Sequence, residues 1–117
     1  MTYMEIEQMI AGIKYPYAYY QFTKKTAQPP PFICFYYETD DDLKADNKNY
    51  QKIANLVIEL YTDTKDFTAE AAVEAALDAA ELPYRREETA IESERLYLCA
   101  FYTAVVITEE VQNGNNQ

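Results

Sequence analysis

The chain contains no histidine, no tryptophan and only two glycines, Gly12 and Gly114, in 117 residues. Each shortage removes a class of chemistry. Without histidine there is no imidazole base, no Ser-His or Cys-His pair and no imidazole metal ligand. Two isolated glycines leave no glycine-rich loop to cradle a phosphate. Cysteine is equally scarce. Cys34 and Cys99 lie far apart, each inside an apolar run, Phe32-Ile33-Cys34-Phe35 and Leu98-Cys99-Ala100. They read as buried free thiols that behave as small hydrophobes. Met1 leads into a helix signal rather than a basic and then apolar leader, so synthesis in the cytoplasm is expected and a disulfide is not. No run approaches the ~18 apolar residues of a membrane span.

Positive charge is also short. Ten Lys plus Arg stand against 20 Asp plus Glu, a net charge of −10. That balance opposes binding to nucleic acid or anionic lipid, both polyanions. It suits a basic protein partner, a like-charged partner joined through apolar contacts, or a surface that repels DNA. Paired carboxylates for acid-base catalysis can be assembled freely from 20 acids, but no local pattern singles out a pair. No catalytic residue, cofactor or metal set is assigned, and function is sought in shape and surface.

Apolar residues make up 49% of the chain, enough to build one ordinary core in a domain of this length. Twelve tyrosines dominate the aromatic content. They supply bulk with a hydroxyl that needs a partner, which suits broad half-buried sheets or an interface.

Thr2 and Glu5 form a Thr-x-x-Glu capping box. Ile6, Met9, Ile10 and Ile13 then follow at helical spacing, and Gly12 and Pro16 bracket the stop, predicting a helix over about Tyr3–Ile13. Tyr17–Phe22 reads as a short aromatic strand, and Pro29-Pro30-Pro31 as a stiff lead-in to an apolar strand over Phe32–Glu38. Tyr50–Tyr61 reads as a long strand with Ala54, Leu56, Ile58 and Leu60 on one face and Asn55 and Glu59 on the other. A second helix opens at Phe67-Thr68, with Thr68 as its N-cap and Val73, Ala76, Leu77 and Ala80 as its apolar stripe. Pro83 follows its end. Tyr84–Ile91, a charged turn and a strand over Leu96–Thr108 complete the pattern, the last apolar on both faces and so interior. The order α-β-β-β-α-β-β predicts an α+β fold, an antiparallel or mixed sheet with two helices packed on it. Residues 1–111 form a single domain, and 112–117 a disordered polar tail.

Two clusters stand out as candidate surfaces. The second helix carries Glu70, Glu74, Asp78 and Glu81 along one stripe with no cation inside the helix. Like charges at this spacing repel by about 0.2–0.5 kcal/mol per pair, so a stripe kept without relief suits a lumen-facing or partner-facing surface. The second cluster is the polar connection holding Asp40, Asp41, Asp42, Lys44, Asp46, Asn47 and Lys48. A calcium loop needs alternating oxygens and a glycine at the sharp turn. Here Lys44 occupies a ligand position and glycine is missing, so the connection reads as an interface loop. Long strands apolar on both faces also raise an edge problem, which pairing between copies would solve.

Three stretches carry a family likeness: Pro30-Pro31-Phe32-Ile33-Cys34, then Ala45-Asp46-Asn47-Lys48-Asn49-Tyr50 with Ile58-Glu59-Leu60-Tyr61-Thr62-Asp63-Thr64-Lys65-Asp66, and Ile91-Glu92-Ser93-Glu94-Arg95-Leu96-Tyr97. In them the chain resembles tail-completion proteins (tail terminators, or tail-to-head joining proteins) of tailed phages and prophages of low-GC Gram-positive bacteria. The resemblance implies an α+β fold of this order and a hexameric ring; a monomer before assembly is compatible with that ring. Such a ring caps the head-proximal end of the tail tube, stops polymerisation of the major tail protein and joins the tail to the head connector. It also implies assembly in the host cytoplasm and residence in the virion tail or neck. A net-negative lumen fits DNA that must slide through. The rival reading is a small acidic DNA mimic that occupies a basic nucleic-acid site of another protein.

Overall fold

A computed structural model describes residues 1–38 and 52–108. The elements among the described residues are α1 (Tyr3–Ala11), β1 (Tyr17–Tyr19), β2 (Phe32–Glu38), β3 (Lys52–Thr62), α2 (Phe67–Ala79), β4 (Arg85–Ile91) and β5 (Leu96–Ile107), with a 3-10 turn over Glu92–Glu94. This is the α+β order read from the sequence. The five strands form one mixed sheet in the order β1-β2-β3-β5-β4. Only β1 and β2 run parallel, with Tyr17 opposite Ile33; all other neighbours are antiparallel.

Both helices pack on the same face. Ile33 and Phe35 of β2, Leu56, Ile58 and Leu60 of β3, and Cys99, Phe101 and Val105 of β5 meet Ile6 and Ile10 of α1 and Ala69, Val73 and Leu77 of α2 in one cluster. The period-2 alternation of β3 and the helical spacing of both stripes therefore converge on one core. Each fully buried Leu, Ile or Phe there contributes roughly 1.5–3 kcal/mol.

Local signals explain the helix starts. Thr2 Oγ1 accepts the Glu5 amide at 3.1 Å and Glu5 Oε1 accepts the Thr2 amide at 2.9 Å, so the capping box is closed. Helix α1 ends at Ala11, two residues before the expected Ile13, with Gly12 at the C-cap and Lys14 taking a left-handed φ of 73°. For α2 the expected cap is corrected: Asp66, not Thr68, is the N-cap, its carboxylate accepting the Ala69 amide at 2.9 Å. Aspartate in the extended conformation before Phe67 satisfies a free amide and places negative charge at the positive end of the helix.

The edge argument is also corrected. The long apolar strands β3 and β5 are interior, and the two edges are β1, three residues long, and β4, which carries Arg85, Arg86, Glu87 and Glu88. Short or charged edges resist strand-to-strand pairing, so the sheet edges no longer argue for association between copies.

Cys34 and Cys99 are free and buried, as expected. Cys34 is opposite Glu59 whereas Cys99 is opposite Leu60, so the two thiols point to opposite faces of the sheet and cannot pair.

Candidate functional site

The acidic stripe of α2 divides in two. Glu70 is a core residue, 3% exposed. Its Oε1 accepts Lys65 Nζ at 2.8 Å and Arg86 Nη2 at 2.5 Å. Arg86 Nη1 reaches Glu74 Oε2 at 2.7 Å, and Lys65 Nζ reaches Glu88 Oε1 at 2.5 Å. The Tyr97 hydroxyl donates to the same Glu88 oxygen at 2.7 Å. Glu70, buried, and Glu74, half-buried, are thus counter-ions that fasten α2 to β4. The cations that relieve the stripe come from Lys65, before the helix, and Arg86, on the strand beneath it. Hydrogen bonds from Lys65 and Tyr97 hold the Glu88 carboxyl below its ordinary value, and the bond to Glu70 raises that of the Arg86 guanidinium. Asp78 and Glu81 remain exposed, with Glu81 already past the helix end at a left-handed φ of 58°. The connection holding Asp40, Asp41, Asp42, Lys44, Asp46, Asn47 and Lys48 lies outside the described residues, as does the tail 112–117.

The opposite face of the sheet carries no helix among the described residues. Three rows of side chains cross it. Phe32, Tyr61 and Leu98 form one row and Tyr36, Val57 and Tyr102 another; between them run Cys34, Glu59 and Ala100. The middle row is small at both flanks, so bulky rows stand on either side of a depression with Glu59 at its centre. Phe32 and Tyr61 stack at 5.0 Å between ring centroids, Phe22 meets Phe32 edge-on at 5.5 Å, and Tyr20 lies 5.3 Å from Tyr36. Together they wall a cavity of about 530 Å³, with Glu94 also at its lining.

Polar groups inside it are few and aimed. Glu59 Oε1 accepts the Tyr61 hydroxyl at 2.8 Å and Oε2 accepts the Tyr36 hydroxyl at 3.3 Å. Burial, then Glu59, pushes the Tyr36 hydroxyl up to about 12, and burial likewise raises that of Tyr61, so both phenols remain donors. Burial pushes the Cys34 thiol up to about 11. A thiol held protonated is a poor nucleophile. Among the described residues no group of three or more Cys, Asp or Glu is placed to hold a metal ion, and no helix is long and apolar enough to cross a membrane.

A second tyrosine cluster sits at the β1 edge. Tyr3 meets Tyr37 edge-on at 5.1 Å, Tyr19 meets Phe35 at 5.2 Å, and the Tyr17 hydroxyl donates to Glu7 at 3.3 Å. Tyr19 and Tyr20 remain 54% and 63% exposed. The tyrosine-rich composition anticipated such surfaces, and the alternation of β3 put Glu59 on the outward face. The cavity itself needs the register of three strands, which no single segment reveals.

No protein-family model matches the chain, and no curated protein matches it in sequence. Among solved structures, it is similar to a chain in the virion of a native gene transfer agent particle, at 20% identity and a TM-score of 0.50, covering 84% of each chain. At that identity the likeness is one of fold.

Proposed function

We propose that the chain is a structural protein of a virion, and within it a tail-completion protein that forms a ring on the head-proximal end of the tail tube and joins the tail to the head connector. The observation that carries this reading is the fold it shares, over most of both chains, with a chain of a gene transfer agent virion. The three sequence stretches that resemble tail-completion proteins point the same way.

The surface supports assembly as the activity. A sheet face with aromatic walls and no covering helix among the described residues offers apolar area to another protein. In a ring, contacts between copies are heterologous and close by rotation; six copies is the number the family resemblance implies. The major tail tube protein and the head-tail connector are the proposed neighbours, and Asp78 and Glu81 are the acids of the α2 stripe left to face a lumen or a neighbour. The DNA-mimic reading loses its row of carboxylates, because Glu70 and Glu74 are spent on Arg86.

Deletion of the gene from a particle-producing strain tests the role. Heads without joined tails, or tubes of uncontrolled length, are expected. Normal particles from the deletion strain contradict it.

A further inference from the structure

Glu59 differs from the other well-placed acids of the chain. Glu70, Glu74, Glu87 and Glu88 each have a lysine or arginine partner. Glu59 is half-buried on an interior strand, and no lysine or arginine among the described residues pairs with it. Its donors among the described residues are two neutral phenols, one on each oxygen. A carboxylate oxygen has two lone pairs, so each retains one acceptor site. Two parallel acceptors on one carboxylate match the paired N–H groups of a guanidinium.

The surroundings fit the same ligand. Cys34 and Ala100 flank Glu59 on its neighbouring strands, and their small size opens the approach to the carboxylate. The Phe32 and Tyr61 rings, stacked at 5.0 Å, stand on one side, and Tyr36 with Tyr20 on the other. Glu94 adds a second negative charge at the cavity lining. An ammonium would use the charge, but only a planar guanidinium can meet both oxygens of one carboxylate in a paired, bidentate contact.

We propose that this cavity is the receptor for an arginine side chain presented by a partner protein, with Glu59 as the bidentate acceptor and the Phe32–Tyr61 and Tyr36 rings as its walls. The proposal stands apart from the tail-completion reading: it concerns what the chain recognises, whatever particle it serves.

The test is titration of the isotope-labelled full chain with ethylguanidinium, followed by amide shifts in NMR, with N-ethylurea as the neutral isostere and ethylammonium as the non-planar cation. Saturable shifts centred on Cys34, Glu59 and Tyr61 are expected. N-ethylurea should not saturate, and ethylammonium should bind several-fold more weakly than ethylguanidinium. Glu59→Gln, which keeps the volume and removes the charge, should weaken ethylguanidinium binding by about tenfold. Phe32→Leu, which keeps Glu59 and removes a ring wall, should weaken it several-fold and serves as the readout if the first variant does not fold. Equal binding of N-ethylurea, shifts centred on Asp78 and Glu81 instead, or unchanged affinity in the folded variants overturns the proposal. None of these readouts requires tail tubes, so failure here is separable from failure of the assembly reading.

Discussion

Arg86 Nη2 lies 2.5 Å from Glu70 Oε1, joining the edge strand β4 to the buried face of helix α2. Sixteen residues separate the two in sequence. The pair converts what reads as a repulsive acidic helix into one that is electrostatically anchored. The other carboxylate oxygen, Glu70 Oε2, has no hydrogen-bond partner among the described residues, so the carboxylate depends on Lys65 and Arg86 together.

Removing the cation should therefore cost more than removing the pair. Arg86→Met leaves Glu70 buried beside Lys65 alone and is expected to destabilise by about 2–3 kcal/mol, below the 3–5 of a fully buried broken pair because Arg86 is partly exposed. Glu70→Met combined with Arg86→Met should recover at least half of that loss. Urea denaturation of the three variants measures both quantities. Equal stability of Arg86→Met and the parent would show that the network does not hold α2 to the sheet.

The same network sets an acid limit. The Glu88 carboxyl is lowered in the folded chain, chiefly by Lys65. A lowered folded value means stability that is present above the ordinary carboxylate value and lost as pH falls through the folded one. Thermal unfolding followed downward from neutral pH should show loss beginning near pH 4.5 and continuing below it. In Glu88→Gln that part of the loss should disappear.

The alkaline limit has the opposite sign. Burial raises Cys34 and Cys99 from 9.0 to about 11, and Tyr36 and Tyr37 from 10.0 to about 12. An acid raised in the folded state stabilises below its unfolded value and loses that contribution as pH climbs through the folded one. Stability is expected to fall progressively from about pH 9 to 12. Tyrosinate absorbance recorded alongside circular dichroism should show part of the tyrosine titration coinciding with loss of structure. Full titration of all twelve tyrosines with an intact fold would contradict the burial described.

Helix α2 separates two neighbouring capping residues. Asp66→Ala should cost about 1 kcal/mol, the usual value of an N-cap, whereas Thr68→Ala, inside the first turn and exposed, should change stability by less than about 0.5 kcal/mol. Chemical denaturation distinguishes them directly.

Those two residues also mark where the sequence is legible. Element type and order followed from periodicity: Ile6 and Ile10 on α1, Val73 and Leu77 on α2, and alternating Leu56, Ile58 and Leu60 on β3 all face the core as their spacing requires. Asp66 and Thr68 carry the same capping chemistry, and Phe67 between them is compatible with either start, so the first turn was ambiguous by two residues. The candidate surfaces were less legible because they depend on distant partners. Nothing near Glu70 in the chain announces Arg86 on β4, and the cavity at Glu59 exists only because β2 and β5 bring Cys34 and Ala100 alongside it. The parallel pairing of β1 with β2 likewise follows from a return through the 20–31 segment that local propensity does not encode.

The central claim is that this chain works by capping a tube. Electron microscopy of the purified full chain mixed with tail tubes from its own particle tests it most directly. A ring seated at one end of each tube is expected, with tubes no longer extending when more tail protein is supplied. Tube ends that stay bare at saturating protein, and tubes that continue to grow, would contradict it.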